Sequence, residues 1–159
     1  MKKIFLPLFV ISLALSLSCT RKQAALFSPS SSRSPEDTVK QFLDISAQAK
    51  SKDDRKRLQE LCQGDLRRAF ERMNDEAFQL IYLDSRVTIL EMKILESKTE
   101  SDAATIGYQV TVDNQQGTDR TKEINQREVE LKRTNGTWLI SSIRVKGTDQ
   151  IAFTKGMFF

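Results

Sequence analysis

Few side chains in this sequence could do chemistry. The 159 residues include no histidine, two cysteines and two tyrosines. Acid–base catalysis in an apolar pocket needs a carboxylate, imidazole or phenol whose pKa is moved by its surroundings. The candidates are Tyr82, Tyr108 and the carboxylates Glu91, Glu128 and Glu130. Tyr108 shares strand parity with Ile106 and Val110, which turns it inward, where its hydroxyl needs a partner. The three glutamates fall on the polar side of their alternating patterns and read as solvated. Cys62 follows Leu61 on the apolar side of an expected helix and reads as a small buried hydrophobe. A Cys–His pair is impossible without histidine. No residues have metal-ligand spacing, and the six glycines form no phosphate-cradling loop. No metal, cofactor or catalytic activity is expected.

What remains is aromatic. Phe42, Tyr82, Tyr108 and Trp138 are candidates for a pocket or interface. The stretch 147–159 adds Phe153 and Phe158, with Met157 and Phe159 beside them. Apolar residues clustered on a tail are normally hidden. Three fates are open: packing back over a pocket mouth, extending the last strand, or inserting into a partner.

The charge excludes one partner class. The formal net charge is +4, and Lys2 and Lys3 lie in a segment expected to be removed. The basic runs 52–57 and 67–68 are interleaved with Asp53, Asp54, Glu60, Asp65 and Glu71, as on a solvated helix face. There is no coherent basic stripe, so no nucleic acid is expected.

Met1-Lys2-Lys3 is a basic start, and an apolar run from Ile4 to Leu17 follows it. That run is shorter than the roughly twenty residues of a bilayer span. It reads as a secretory signal over 1–18. Leu15-Ser16-Leu17-Ser18-Cys19 then resembles the lipobox of bacterial lipoprotein precursors, although Ser16 stands where that family usually has Leu and Leu17 where it has a small residue. The resemblance implies acylation of Cys19 and anchoring to a membrane by more than one acyl chain, which holds stably where a single chain does not. Thr20, in place of an inner-membrane-retaining Asp, implies the outer membrane in a Gram-negative host. Ser16 and Ser18 also satisfy an ordinary signal peptidase. Secretion without lipid, with Cys19 free to pair with Cys62, is the alternative. Residues 19–34 form a Ser-rich linker.

The elements that must position the aromatic residues begin at Ser34-Pro35-Glu36-Asp37, a capped helix start. A helix is expected from Pro35 to about Lys50. Ser51 is expected to cap a second helix that Gly64 ends, and Asp65 to open a third that Asn74-Asp75 breaks. From Arg86 the period changes to two. Leu90, Met92 and Ile94 form one face, and Ala104 to Val112 alternate cleanly. Asn135-Gly136 marks a hairpin. Parity slips between Ile140 and Ile143, which a β-bulge near Ser141-Ser142 would repair.

Helices followed by four antiparallel strands define an α+β class. Together with the ending Glu128 to Ile140, which carries Asn135-Gly136-Thr137-Trp138, and the opening Ser34 to Leu43, the pattern resembles the NTF2-like (cystatin-like) superfamily over 35–146. The resemblance implies helices packed on a curved, cone-shaped four-stranded sheet with a pocket between them. The reading that results is a non-enzymatic, membrane-anchored envelope lipoprotein. Its domain binds a protein partner, a second copy through the sheet, or a small apolar ligand. A small pocket enzyme of isomerase or dehydratase type is the alternative implied by the same family, as is a secreted, non-lipidated binding protein.

Overall fold

The structure is a computed structural model that describes residues 33–85, 87–116 and 119–159. The signal segment, Cys19 and most of the linker lie outside the described residues.

Helix α1 (Pro35–Gln48) starts as its sequence dictates. Ser34 Oγ accepts from the Asp37 amide at 3.1 Å, and Pro35 occupies the first turn. Its buried face carries Val39, Phe42, Leu43 and Ile45. Helix α2 (Asp53–Glu60) is capped in the reverse of the expected sense. The Ser51 side chain does not cap it; instead the Asp54 carboxylate accepts from the amides of Lys50 (3.0 Å) and Ser51 (3.2 Å). Burial opposes ionisation of Asp54, but these bonds and Arg57 outweigh it and hold its pKa low.

Gly64 does not end α2. The helix stops at Glu60 because the next residues join the sheet. Ile140 donates to the Leu61 carbonyl at 2.9 Å and receives the Gln63 amide at 2.8 Å. Gly64, at φ +61°, opens helix α3 (Gly64–Arg72), a backbone turn that glycine makes without strain. Asn74 caps the short α4 (Asp75–Phe78), accepting from the Ala77 amide at 2.8 Å. A π-helical turn (Gln79–Leu83) follows directly and brings Tyr82 inward.

Four strands complete the layer: β1 (Val87–Thr99), β2 (Ala103–Gln116), β3 (Asp119–Thr134) and β4 (Thr137–Val145). All neighbours pair antiparallel, in the order β1-β2-β3-β4. Asn135 (φ +50°) and Gly136 (φ +80°) form the two-residue turn between β3 and β4, the geometry that matches strand twist. The parity slip in β4 is a bulge: Ser142 faces Glu130, Ile140 faces Leu131, and Ser141 is the extra residue. Ile140 and Ile143 therefore both point into the core.

Two expectations are corrected. The sheet is open and does not curl into a cone. Closure would require β1 and β4 to approach, and they do not pair. The outer side of β4 is already occupied, by residues 61–63 at Ile140 and by residues 150–152 at Ile143 and Val145. In β1, Leu90 does not share a face with Met92 and Ile94. The register skips Leu90 and Leu95, both extra residues at bulges and both exposed, at 49% and 45%. Ile89, Met92 and Ile94 instead pack towards Val112, Val110 and Tyr108.

The stretch 147–159 folds back. The Ala152 amide donates to the Ile143 carbonyl at 2.7 Å, and a last short helix, α5 (Lys155–Phe158), follows.

Candidate binding site

The site is built where α5 meets α1, the π-turn and the inward face of the sheet. Phe158 and Phe159 are buried. The Phe158 ring meets Phe42 edge-on at 5.0 Å and lies 6.5 Å from Tyr82. Tyr82 stacks on Phe78 at 4.7 Å and tilts against Phe70 at 5.8 Å. Five rings from four helices and the π-turn thus form one cluster, with the edge-on and offset geometries that aromatic pairs favour.

The sheet contributes the polar grip. Tyr108 on β2 and Arg127 on β3 are directly opposite in the register. Tyr108 Oη donates to the Phe158 carbonyl at 2.6 Å, and Arg127 Nε donates to the Met157 carbonyl at 2.6 Å. Arg127 Nη1 also reaches the Gln126 carbonyl at 3.0 Å. From the tail itself, Lys155 Nζ donates to the carbonyls of Tyr82 (3.1 Å) and Ala47 (3.4 Å).

The electrostatics are unusual. Arg127 is 8% exposed and Lys155 3% exposed. Both are held by neutral carbonyl oxygens, and among the described residues neither has a carboxylate partner. Burial lowers the pKa of both, opposed at Arg127 by Tyr108. Burial raises the Tyr108 phenol, against the pull of Arg127, and raises Tyr82. Among the described residues, the buried Tyr82 and Ser46 hydroxyls have no hydrogen-bond partner. Such orphans are uncommon, because each loses its water without replacement.

Of the residues singled out from sequence, Phe42, Tyr82, Tyr108 and Phe158 come together here. Trp138 is buried beside the β3–β4 turn, with the Arg133 guanidinium 5.9 Å from its ring. Phe153 is 36% exposed and stays outside the cluster. Cys19 lies outside the described residues. Cys62 is free and buried, and burial pushes its thiol pKa up. Sequence reasoning missed Arg127, Lys155, Phe70 and Phe78. Arg127 could have been found, since it continues the parity of Val129 and Leu131. Lys155 had no signal, because a lone lysine on a tail reads as solvated.

Two surface clefts lie apart from these residues. One of about 500 Å³ is lined by α1 and α2 residues of both signs, including Asp37, Lys40, Asp44 and Arg57. One of about 350 Å³ is lined by Glu128, Arg144 and Asp149, among others. Among the described residues, no acidic, Cys or His cluster could hold a metal ion, and no helix is long and apolar enough to cross a membrane.

No protein-family model matches the chain, and no curated protein matches it. Among solved structures it is similar to the intermembrane-space region of the chloroplast protein ARC6, at 15% identity and TM-score 0.49, covering 72% of this chain and 95% of that one. It is similar to a SEC-C motif containing protein from Rhodopseudomonas palustris, at 15% identity and TM-score 0.43, covering 73% and 94%. It is also similar to an NTF2-like protein involved in plasmid conjugation, at 9% identity and TM-score 0.47, covering 76% of this chain and 52% of that one. The chain is a small α+β domain with a distant, partial likeness to these folds.

Proposed function

We propose that this chain is a non-enzymatic binding module of the cell envelope, with its apolar site capped by its own tail. The observation that carries the reading is the seat of Phe158. Its ring is fully buried among Phe42 and Tyr82, and its carbonyl is held by Tyr108. A short helix gripped mainly by side chains, outside the regular ladder, is a separable element. Local opening draws on such elements first. What the tail leaves behind is an apolar, aromatic-lined concavity with a few fixed donors, the composition of a ligand site.

Anchoring enters through Cys19. In this reading the signal 1–18 is removed, Cys19 carries the acyl chains, and the linker holds the domain off the membrane, the outer one in a Gram-negative host. Intact mass from native membranes is the test: acyl mass on Cys19, lost in Cys19→Ser, is expected, and an unmodified N-terminus would contradict anchoring.

The capped site is tested with Phe158→Ala, which empties the seat but leaves the backbone carbonyl for Tyr108. The variant should bind the neutral apolar dye N-phenyl-1-naphthylamine at one saturable site while keeping the wild-type circular dichroism. A folded variant that binds no more dye than wild type would overturn the reading.

A further inference from the structure

We propose that the site under the tail takes an amphiphilic carboxylate, with its head between Tyr108 Oη and Arg127 Nε and its apolar chain in the place of Phe158 and Phe159. The inference rests on the capped-site reading and adds the chemistry of the ligand.

Buried charges in proteins are normally paired with opposite charge, because neutral dipoles only partly replace lost water. Arg127 breaks that rule. Its guanidinium is buried, its oxygen partners are the neutral carbonyls of Met157 and Gln126, and no carboxylate holds it among the described residues. It stands opposite Tyr108 in the β2–β3 register, so the sheet holds the two donors side by side whether or not the tail is present. Between them they already grip two oxygens on consecutive residues, the carbonyls of Met157 and Phe158. A carboxylate also offers two adjacent oxygens, and it brings the missing charge. Charge-assisted bonds of this kind are roughly twice as strong as neutral ones.

The charge count selects the head group. Lys155 belongs to the tail and leaves with it, taking its ammonium from the carbonyls of Ala47 and Tyr82 into water. One cation, Arg127, then remains, which matches a monoanion. A phosphate monoester would bring nearly two negative charges to one guanidinium. The apolar part is set by what Phe158 touches, Phe42 and Tyr82, with Phe70 and Phe78 behind them. That wall is aromatic, and the buried Tyr82 hydroxyl is a polar atom within it.

The test compares decanoate, decan-1-ol and decyl phosphate as competitors of N-phenyl-1-naphthylamine, on the full chain and on Phe158→Ala. Decanoate should compete at least about tenfold better than the alcohol, and better than the phosphate. Arg127→Gln, with Tyr108→Phe as the milder variant, should erase the preference for the acid, read as the ratio of acid to alcohol competition within each variant. Equal competition by acid and alcohol, or a preference that survives in both variants, would overturn the carboxylate assignment and leave the capped site standing. A preference for the phosphate would overturn it in favour of a dianionic head. If Phe158→Ala binds neither dye nor any competitor, the carboxylate assignment and the capped-site reading fall together.

Discussion

Two arginines on one face of β3 meet opposite fates. Arg127 and Arg133 are separated by Val129 and Leu131 at strand parity, so all four lie on one face of the strand. Arg133 lies at the end of the sheet near the turn, where it is exposed and passes over the Trp138 ring. Water solvates its charge, so the ring contact is incidental to its stability. Arg127 lies under the tail, is nearly sealed from water, and among the described residues holds the carbonyls of Met157 and Gln126. The same side chain is unremarkable at one end of the strand and costly at the other.

That contrast is open to test by substitution. The largest effect is expected at the tail's anchor. Phe158→Ala should destabilise by about 3 kcal/mol in urea unfolding, the usual scale for deleting a buried ring. Tyr108→Phe should cost about 1–2 kcal/mol, because it strands the buried Phe158 carbonyl. Lys155→Met should act in the opposite direction and stabilise by about 1 kcal/mol near neutral pH, since it removes a buried cation without a counter-ion. Its pH dependence has a definite sign. The folded Lys155 pKa is lowered from 10.5, so its penalty is fully present below the folded value and is relieved as pH rises through it. Wild type should therefore gain stability on that alkaline limb, and the advantage of Lys155→Met should shrink. Arg133→Ala should cost only about 0.5 kcal/mol, the scale of an exposed cation–π contact.

The same contrast explains what could be read from the sequence. The Arg133 end was legible because its signals are local: Asn135-Gly136 for the turn, Trp138 and Ile140 for the inward face, and the parity slip for the bulge at Ser141. The start of α1 was legible for the same reason. Tyr108 was placed inward by alternation alone, and its need for a partner followed from its hydroxyl.

The tail end was not legible, because its partners are 50 residues apart for Tyr108 with Phe158 and 73 for Lys155 with Tyr82. No period or motif links such pairs. The expected cone failed for a similar reason. An apolar alternation dictates which face is buried but not whether edges close, and here residues 61–63 and 150–152 had taken the β4 edge. The two β1 bulges were missed because Leu90 fits an apolar alternation with Met92 and Ile94 that the chain skips, and Leu95 fell on the outward parity with Glu91 and Lys93. The π-turn that places Tyr82 has no signature in a 3.6-residue period.

A tail that is docked yet separately releasable has a distinct signature in trypsin cleavage after Lys155. In native buffer Lys155 should resist cleavage. At urea concentrations well below the global transition, cleavage after Lys155 should appear while the far-UV circular dichroism remains native. Rapid cleavage in native buffer would show a tail that is not docked. Cleavage only in step with global unfolding would show a tail that is part of the core and caps nothing.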